Sequence, residues 1–190
     1  AFNLVILRLE GDLGVAAYGV VANLAIVAVA MFDGLAQGIQ PLVSRAYGGG
    51  QEEQARQLLV WGLSAALLLA VLLAGTAALG AEPIAGLFNS QGDPALQRMA
   101  VQGLRLYFTA MPFAGVNIVA AAYFAATERA LPAQAVALSR GFALALPAVF
   151  LLSAWLGLTG VWLAVPAAEA LTASAALAAL AAKTRRAGDV

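Results

Sequence analysis

The sequence has no cysteine and no histidine among its 190 residues. Their absence excludes disulfide scaffolds, Cys/His metal sites, thiol nucleophiles and histidine general bases. Charge is scarce as well. Only 11% of residues are charged, against about 25% in soluble domains. Ten basic and ten acidic residues cancel, so no strong field draws nucleic acid. What the chain has in excess is apolar side chains. They make up 63% of the sequence, against about 45–50% in soluble domains, and the mean hydropathy is +0.88. A water-soluble enzyme of this length has too much surface to carry so few charges, and no enzymatic role is expected. The 19 glycines and 7 prolines fall inside apolar runs, as they do in membrane helices.

A bilayer-spanning helix needs about 20 mostly apolar residues. Five stretches qualify: Leu13 to Gln40, Leu58 to Leu79, Met99 to Ala126, Pro132 to Leu156 and Leu158 to Ala182. Breakers separate them. They are Gly48-Gly49-Gly50, Asn89-Ser90-Gln91-Gly92, Thr127-Glu128-Arg129 with Pro132, and Gly157 with Thr159-Gly160. Asp93-Pro94 reads as an N-cap followed by proline at the first helical position. Period-2 alternation is missing, so the expected fold is an all-α polytopic membrane bundle and not a β-barrel.

Arg45, Arg56, Arg129, Lys183, Arg185 and Arg186 fall on one side of these spans, and Arg8 and Arg98 on the other. The richer side, which includes the C-terminus, is expected to be cytoplasmic. With five spans, Leu13 then starts outside. The apolar stub Ala1 to Leu7 is too short to span, lacks a basic n-region and reads as the end of a preceding sixth helix. The chain is therefore expected to be part of a longer protein.

The stretch Val15 to Asn23, running into Gly38-Ile39-Gln40-Pro41-Leu42-Val43-Ser44-Arg45-Ala46-Tyr47-Gly48, resembles the eighth helix of MATE-type multidrug and toxic-compound extrusion transporters. Leu104-Arg105-Leu106-Tyr107 with Pro112, Gly115 and Tyr123-Phe124 is similar to the tenth helix. Gly160 to Glu169 is similar to the opening of the twelfth. The resemblance covers nearly the whole chain, in order. It implies a twelve-helix antiporter of two six-helix lobes, with residues 1–190 as the C-terminal lobe. It further implies export of small organic cations and drugs in exchange for H+ or Na+, with no other cofactor. The expected partners are the bilayer of the cytoplasmic membrane, the N-terminal lobe and the substrate. One departure counts against a sodium site of the kind some members carry: Met99 to Ala126 contains no Asp or Glu.

Several residues are candidates for a substrate or ion pathway. At 100° per residue, Asn23, Asp33, Gln37, Gln40 and Ser44 share a sector of the first span. Such a stripe either lines a water-filled path or makes hydrogen bonds between helices. Asn117, in the third span, joins the candidate pathway. Asp33, Arg140 and Glu169 lie deep, about 18 Å from Arg45, 12 Å past Pro132 and 16 Å from Leu158 at 1.5 Å per residue. Each costs at least ~2.5–3.5 kcal/mol at the centre of a lone helix. Arg140 can neutralise one acid, and Asp33 is expected to be that partner. Glu169 is then left without a base, to be protonated, bind a cation or face water.

Pro112, Pro147 and Pro166 lie inside spans, as rocking bends or as static kinks. Gly34 and Gly38 are spaced for close helix packing. Glu52 and Arg56 form an expected i,i+4 pair. Lys183 to Arg186 reads as a lipid-facing anchor, and Trp155 and Trp162 as interfacial belt residues. Two other functions stay open: a flippase for lipid-linked sugars in the same superfamily, and a membrane scaffold without transport of its own.

Overall fold

The computed structural model describes the backbone of residues 1–187 and the side chains of residues 1–182. The described chain is all α. Its elements are α1 (Phe2–Gly48), α2 (Glu52–Leu79), α3 (Ala81–Phe88), α4 (Pro94–Tyr107), α5 (Met111–Ala126), α6 (Ala130–Leu138), α7 (Ala145–Leu156) and α8 (Leu158–Ala187). A 3-10 turn, Phe108–Ala110, joins α4 to α5, and a π-helical segment, Ser139–Ala143, joins α6 to α7. These elements make five helices long and apolar enough to cross a membrane: Phe2–Gly48, Glu52–Leu79, Pro94–Ala126, Ala130–Leu156 and Leu158–Ala182. The protein is a polytopic helical membrane protein; its helices cover the five expected stretches and extend beyond several of them, the first running from Phe2 to Gly48.

α1 is two helices rather than one. Gly11 sits at φ 65°, ψ −155°, a conformation that side-chain-bearing residues rarely adopt, and it breaks the rod. The stub before it is helical. Its Ile6 is fully buried and packs with Val149, Val161 and Ala164 of α7 and α8. The α1–α2 connection turns on Gly49 and on Gly50, which has φ 74°. Asp93 caps α4 by accepting from the amides of Ala95 and Leu96 at 2.7 and 3.2 Å, as the Asp-Pro signal indicated. Asn89 braces that cap, donating to the Asp93 carbonyl and accepting from its amide. The short amphipathic α3 is an addition to the sequence reading, because eight residues are too few to register as a span.

The third span is the centre of the bundle. Its apolar window is 67% buried, against 17–39% for the others. Small residues make this possible. A Cβ on Gly115 would stand 2.9 Å from the ring of Phe32, and one on Gly103 would meet Val21 and Trp162. Among the described residues, a Cβ on Gly34 or Gly38 would meet nothing within 4 Å, so the expected close packing is not made there.

The sequence suggested Glu52 as a partner of Arg56; an exposed salt bridge stands between Arg56 and Glu53, at 3.0 Å and i,i+3. One further expectation is corrected. Trp155 is 86% exposed, whereas Trp162, expected at the same interface, is fully buried. It stacks on Tyr18, which in turn stacks on Phe2. Trp162 begins a helix whose first turns pack into the bundle, so it serves the core. The proposed anchor at Lys183, Arg185 and Arg186 lies outside the described side chains.

Candidate functional site

Two prolines shape the backbone around the polar residues of the membrane interior. A proline cannot donate to the carbonyl four residues back, and its ring crowds that carbonyl. Pro112 displaces the Phe108 carbonyl, and the 3-10 turn Phe108–Ala110 lies there, just before α5. Pro147 displaces the Ala143 carbonyl at the end of the π segment Ser139–Ala143. In that segment the Leu144 amide donates to the Ser139 carbonyl, five residues back, at 3.0 Å. The wider turn re-aims Arg140 relative to a regular helix. Pro166 lies buried within α8, and Pro41, on the exposed face of α1, is a further in-helix proline just past the assigned end of the first span.

Arg140 points at Glu169. Its Nη2 donates to Glu169 Oε1 at 2.9 Å and its Nε to the same oxygen at 3.1 Å. The pairing expected between Arg140 and Asp33 is therefore not made. Similar depth along the helices suggested it, but the packing of α8 against the π segment puts Glu169 closer. The Glu169 side chain is only 7% exposed and that of Arg140 21%. From α5, the buried Asn117 Nδ2 donates to Glu169 Oε2 at 2.6 Å and to the Glu169 carbonyl at 2.9 Å. The carboxylate is thus held from two sides, as a buried charge must be to persist. Asn117 Oδ1 is buried and has no hydrogen-bond partner among the described residues.

In front of this cluster is a cavity of about 240 Å³. It is lined by Asp33, Gln37 and Gln40 of α1, by Ile118, Ala121 and Ala122 of α5, and by Arg140. The short alanines leave the space that larger side chains would fill. Four of the residues singled out in the sequence meet here. Glu169 is bonded to Arg140 and Asn117 to Glu169, and neither lines the cavity. Asn23 and Ser44 lie on the same exposed face of α1 but outside the cavity.

All five stripe residues are exposed. Among the described residues, none of their side chains makes a hydrogen bond or ion pair. The stripe therefore does not hold the helices together. Asp33 in particular has no cationic partner. This cluster sets two carboxylates, Asp33 and Glu169, against one guanidinium. The uncompensated negative charge is on the cavity wall, at Asp33. Sequence reasoning overlooked the alanine lining, for which the run Ala120-Ala121-Ala122 was the available signal.

Comparison with known proteins fits this architecture. The chain is 30% identical over 156 residues to a protein named FAD transporter from Shewanella oneidensis, covering 80% of this chain and 33% of that protein. It is 25% identical over 167 residues to the multidrug export protein MepA of Staphylococcus aureus, covering 88% of this chain and 36% of MepA. The chain thus spans about a third of the length of the curated relatives it matches. Among solved structures, it superposes with a TM-score of 0.88, at 17% identity, on the outward-facing conformation of a multidrug resistance MATE family transporter of the MOP superfamily. That match covers 98% of this chain and 42% of the other and speaks to the fold alone. The family model described as MatE matches residues 1–147, well over half of the sequence. The chain belongs to the MatE family.

Proposed function

We propose that this chain forms the cation-recognising lobe of a secondary antiporter. It would export small organic cations across the cytoplasmic membrane in exchange for H+ or Na+, with its C-terminus in the cytoplasm. The observation that carries this reading is the net negative charge of the cavity cluster, with Asp33 unpaired on its wall. An organic cation supplies the missing charge, and the alanine lining supplies an apolar surface for its body. In a site of low dielectric, one uncompensated carboxylate favours a cation and repels an anion.

This revises the role expected for Glu169. Its charge is already met by Arg140, so Asp33 is the carboxylate available to substrate. The same asymmetry weighs against a lipid-linked sugar, whose pyrophosphate needs an excess of base. It weighs equally against an anionic flavin of the kind named for the Shewanella relative. A scaffold without transport has no need of an exposed polar stripe ending in a charged cavity. Pro112 and Pro147 would then be sites where the lobe flexes as the path opens to either side.

The test is efflux of the cationic dye ethidium from vesicles containing the full-length protein, with Na+ and H+ gradients imposed separately. One of the two gradients should drive efflux. Asp33→Asn should slow it by about tenfold, the equivalent of ~1.4 kcal/mol of lost charge interaction. Gradient-independent leakage, or full efflux by Asp33→Asn, would overturn the reading.

A further inference from the structure

Arg140 borders two carboxylates but is bonded to one. Its head is held by Glu169, while its side chain lines the same cavity as Asp33. The two acids differ in how firmly they are fixed. Glu169 is buried and clamped from behind by Asn117. Asp33 is exposed and free of side-chain partners among the described residues. The backbone that carries Arg140 is the one π-helical segment described, and none of its residues is buried. Gly141 follows directly, in open space. Arg140 is therefore carried on backbone that is not packed into the core.

We propose that Arg140 is a resident cation of the transport cavity. A proton bound at Glu169 releases its guanidinium, which turns to Asp33 and displaces the organic cation there. This rests on the reading of the cavity given above and adds how the coupling ion acts. The step balances simply. Glu169 takes a proton from water and becomes a neutral carboxylic acid. Arg140 keeps its proton and its charge, exchanging one carboxylate for the other. Loss of the proton restores the Glu169 carboxylate, draws the guanidinium back and empties Asp33 for the next cation.

Asn117 holds the carboxylate form of Glu169: its Nδ2 donates to Glu169 Oε2 at 2.6 Å and to the Glu169 carbonyl at 2.9 Å. Among the described residues, Tyr107 at the end of α4 lies close enough to Glu169 and Arg140 to feel both charges, and Tyr18 of α1 lies close to Tyr107. Both are phenols, uncharged near neutral pH. Asp33 of α1 lines the same cavity as Arg140. One guanidinium shared between two acids makes proton binding and cation binding mutually exclusive without contact between the two ligands.

The experiment is equilibrium binding of ethidium to the full-length protein in nanodiscs, between pH 5 and 8. The parent should bind at the alkaline end and release toward the acid end. Glu169→Gln imitates the protonated acid, so it should bind about tenfold or more weakly throughout the range. Adding Arg140→Gln to Glu169→Gln removes the displaced guanidinium and should restore binding to within about threefold of the parent.

If Glu169→Gln binds ethidium like the parent, with the same pH dependence, the exchange does not occur. A double variant that stays weak likewise overturns it, since the loss then comes from damage to the site. If Glu169→Gln does not fold, Asn117→Ala serves instead. It loosens the clamp behind Glu169, and ethidium should leave at a higher pH than in the parent. An unchanged release point overturns the proposal. A parent that binds no ethidium at any pH contradicts the cation-transport reading itself, an outcome distinct from all of these.

Discussion

Arg140 Nη2 and Glu169 Oε1 stand 2.9 Å apart in the interior of the helix bundle, joining the π segment between α6 and α7 to the middle of α8. With Glu169 almost wholly buried, removing one partner leaves the other charge poorly solvated. Arg140→Gln should therefore destabilise the protein by about 3 kcal/mol, the lower end for a broken buried pair because Arg140 is partly exposed. Replacing both residues with glutamine should recover much of that loss. Thermal unfolding of the four proteins in detergent closes the cycle. Additive losses in the double variant would mean that the pair contributes no coupling.

Asp33 should behave in the opposite way. It is exposed and without a partner among the described residues, so Asp33→Asn removes no folded-state contact. Stability should change by less than about 0.5 kcal/mol. A loss of several times that amount would reveal a structural partner for Asp33 and remove it as a substrate group.

Two glycine substitutions test the packing. Gly115→Ala would drive a methyl to within 2.9 Å of the Phe32 ring at the bundle centre, at a cost of about 1–3 kcal/mol. Gly38→Ala meets open space and should be neutral or mildly stabilising, since alanine favours helix. The same unfolding measurement compares them. Equal effects at both positions would contradict the assigned centre of the bundle.

Membrane orientation can be tested separately. The lack of native cysteine makes single-cysteine labelling clean. Gly50→Cys and Glu128→Cys should label from the cytoplasmic side, Asp12→Cys and Gln91→Cys from the opposite side, following the basic-residue imbalance. Reversed labelling at Gln91 would invert the topology.

The spans could be read from the sequence because membrane helices follow a simple rule: length and apolarity suffice. The Asp93 cap was equally legible, since capping depends on neighbours along the chain. The partner of Arg140 was not. Asp33 and Glu169 both lie at depths Arg140 could reach, and only the packing of α8 against an irregular turn decides between them. Pro147 pointed to that irregularity, but the direction in which a π turn aims a side chain is set by tertiary contact. Trp162 shows the same limit: a tryptophan near a span end fits either a headgroup belt or a core, and its stack on Tyr18 settles the matter.

Equilibrium competition at the cavity is the most direct test of a cation-recognising lobe built on Asp33. The full-length protein would be titrated with ethidium and, separately, with FAD at the alkaline end of the range. Saturable ethidium binding that Asp33→Asn weakens by about tenfold, with no competition from FAD, is the expected result. FAD binding that displaces ethidium, or ethidium affinity indifferent to Asp33→Asn, would contradict it.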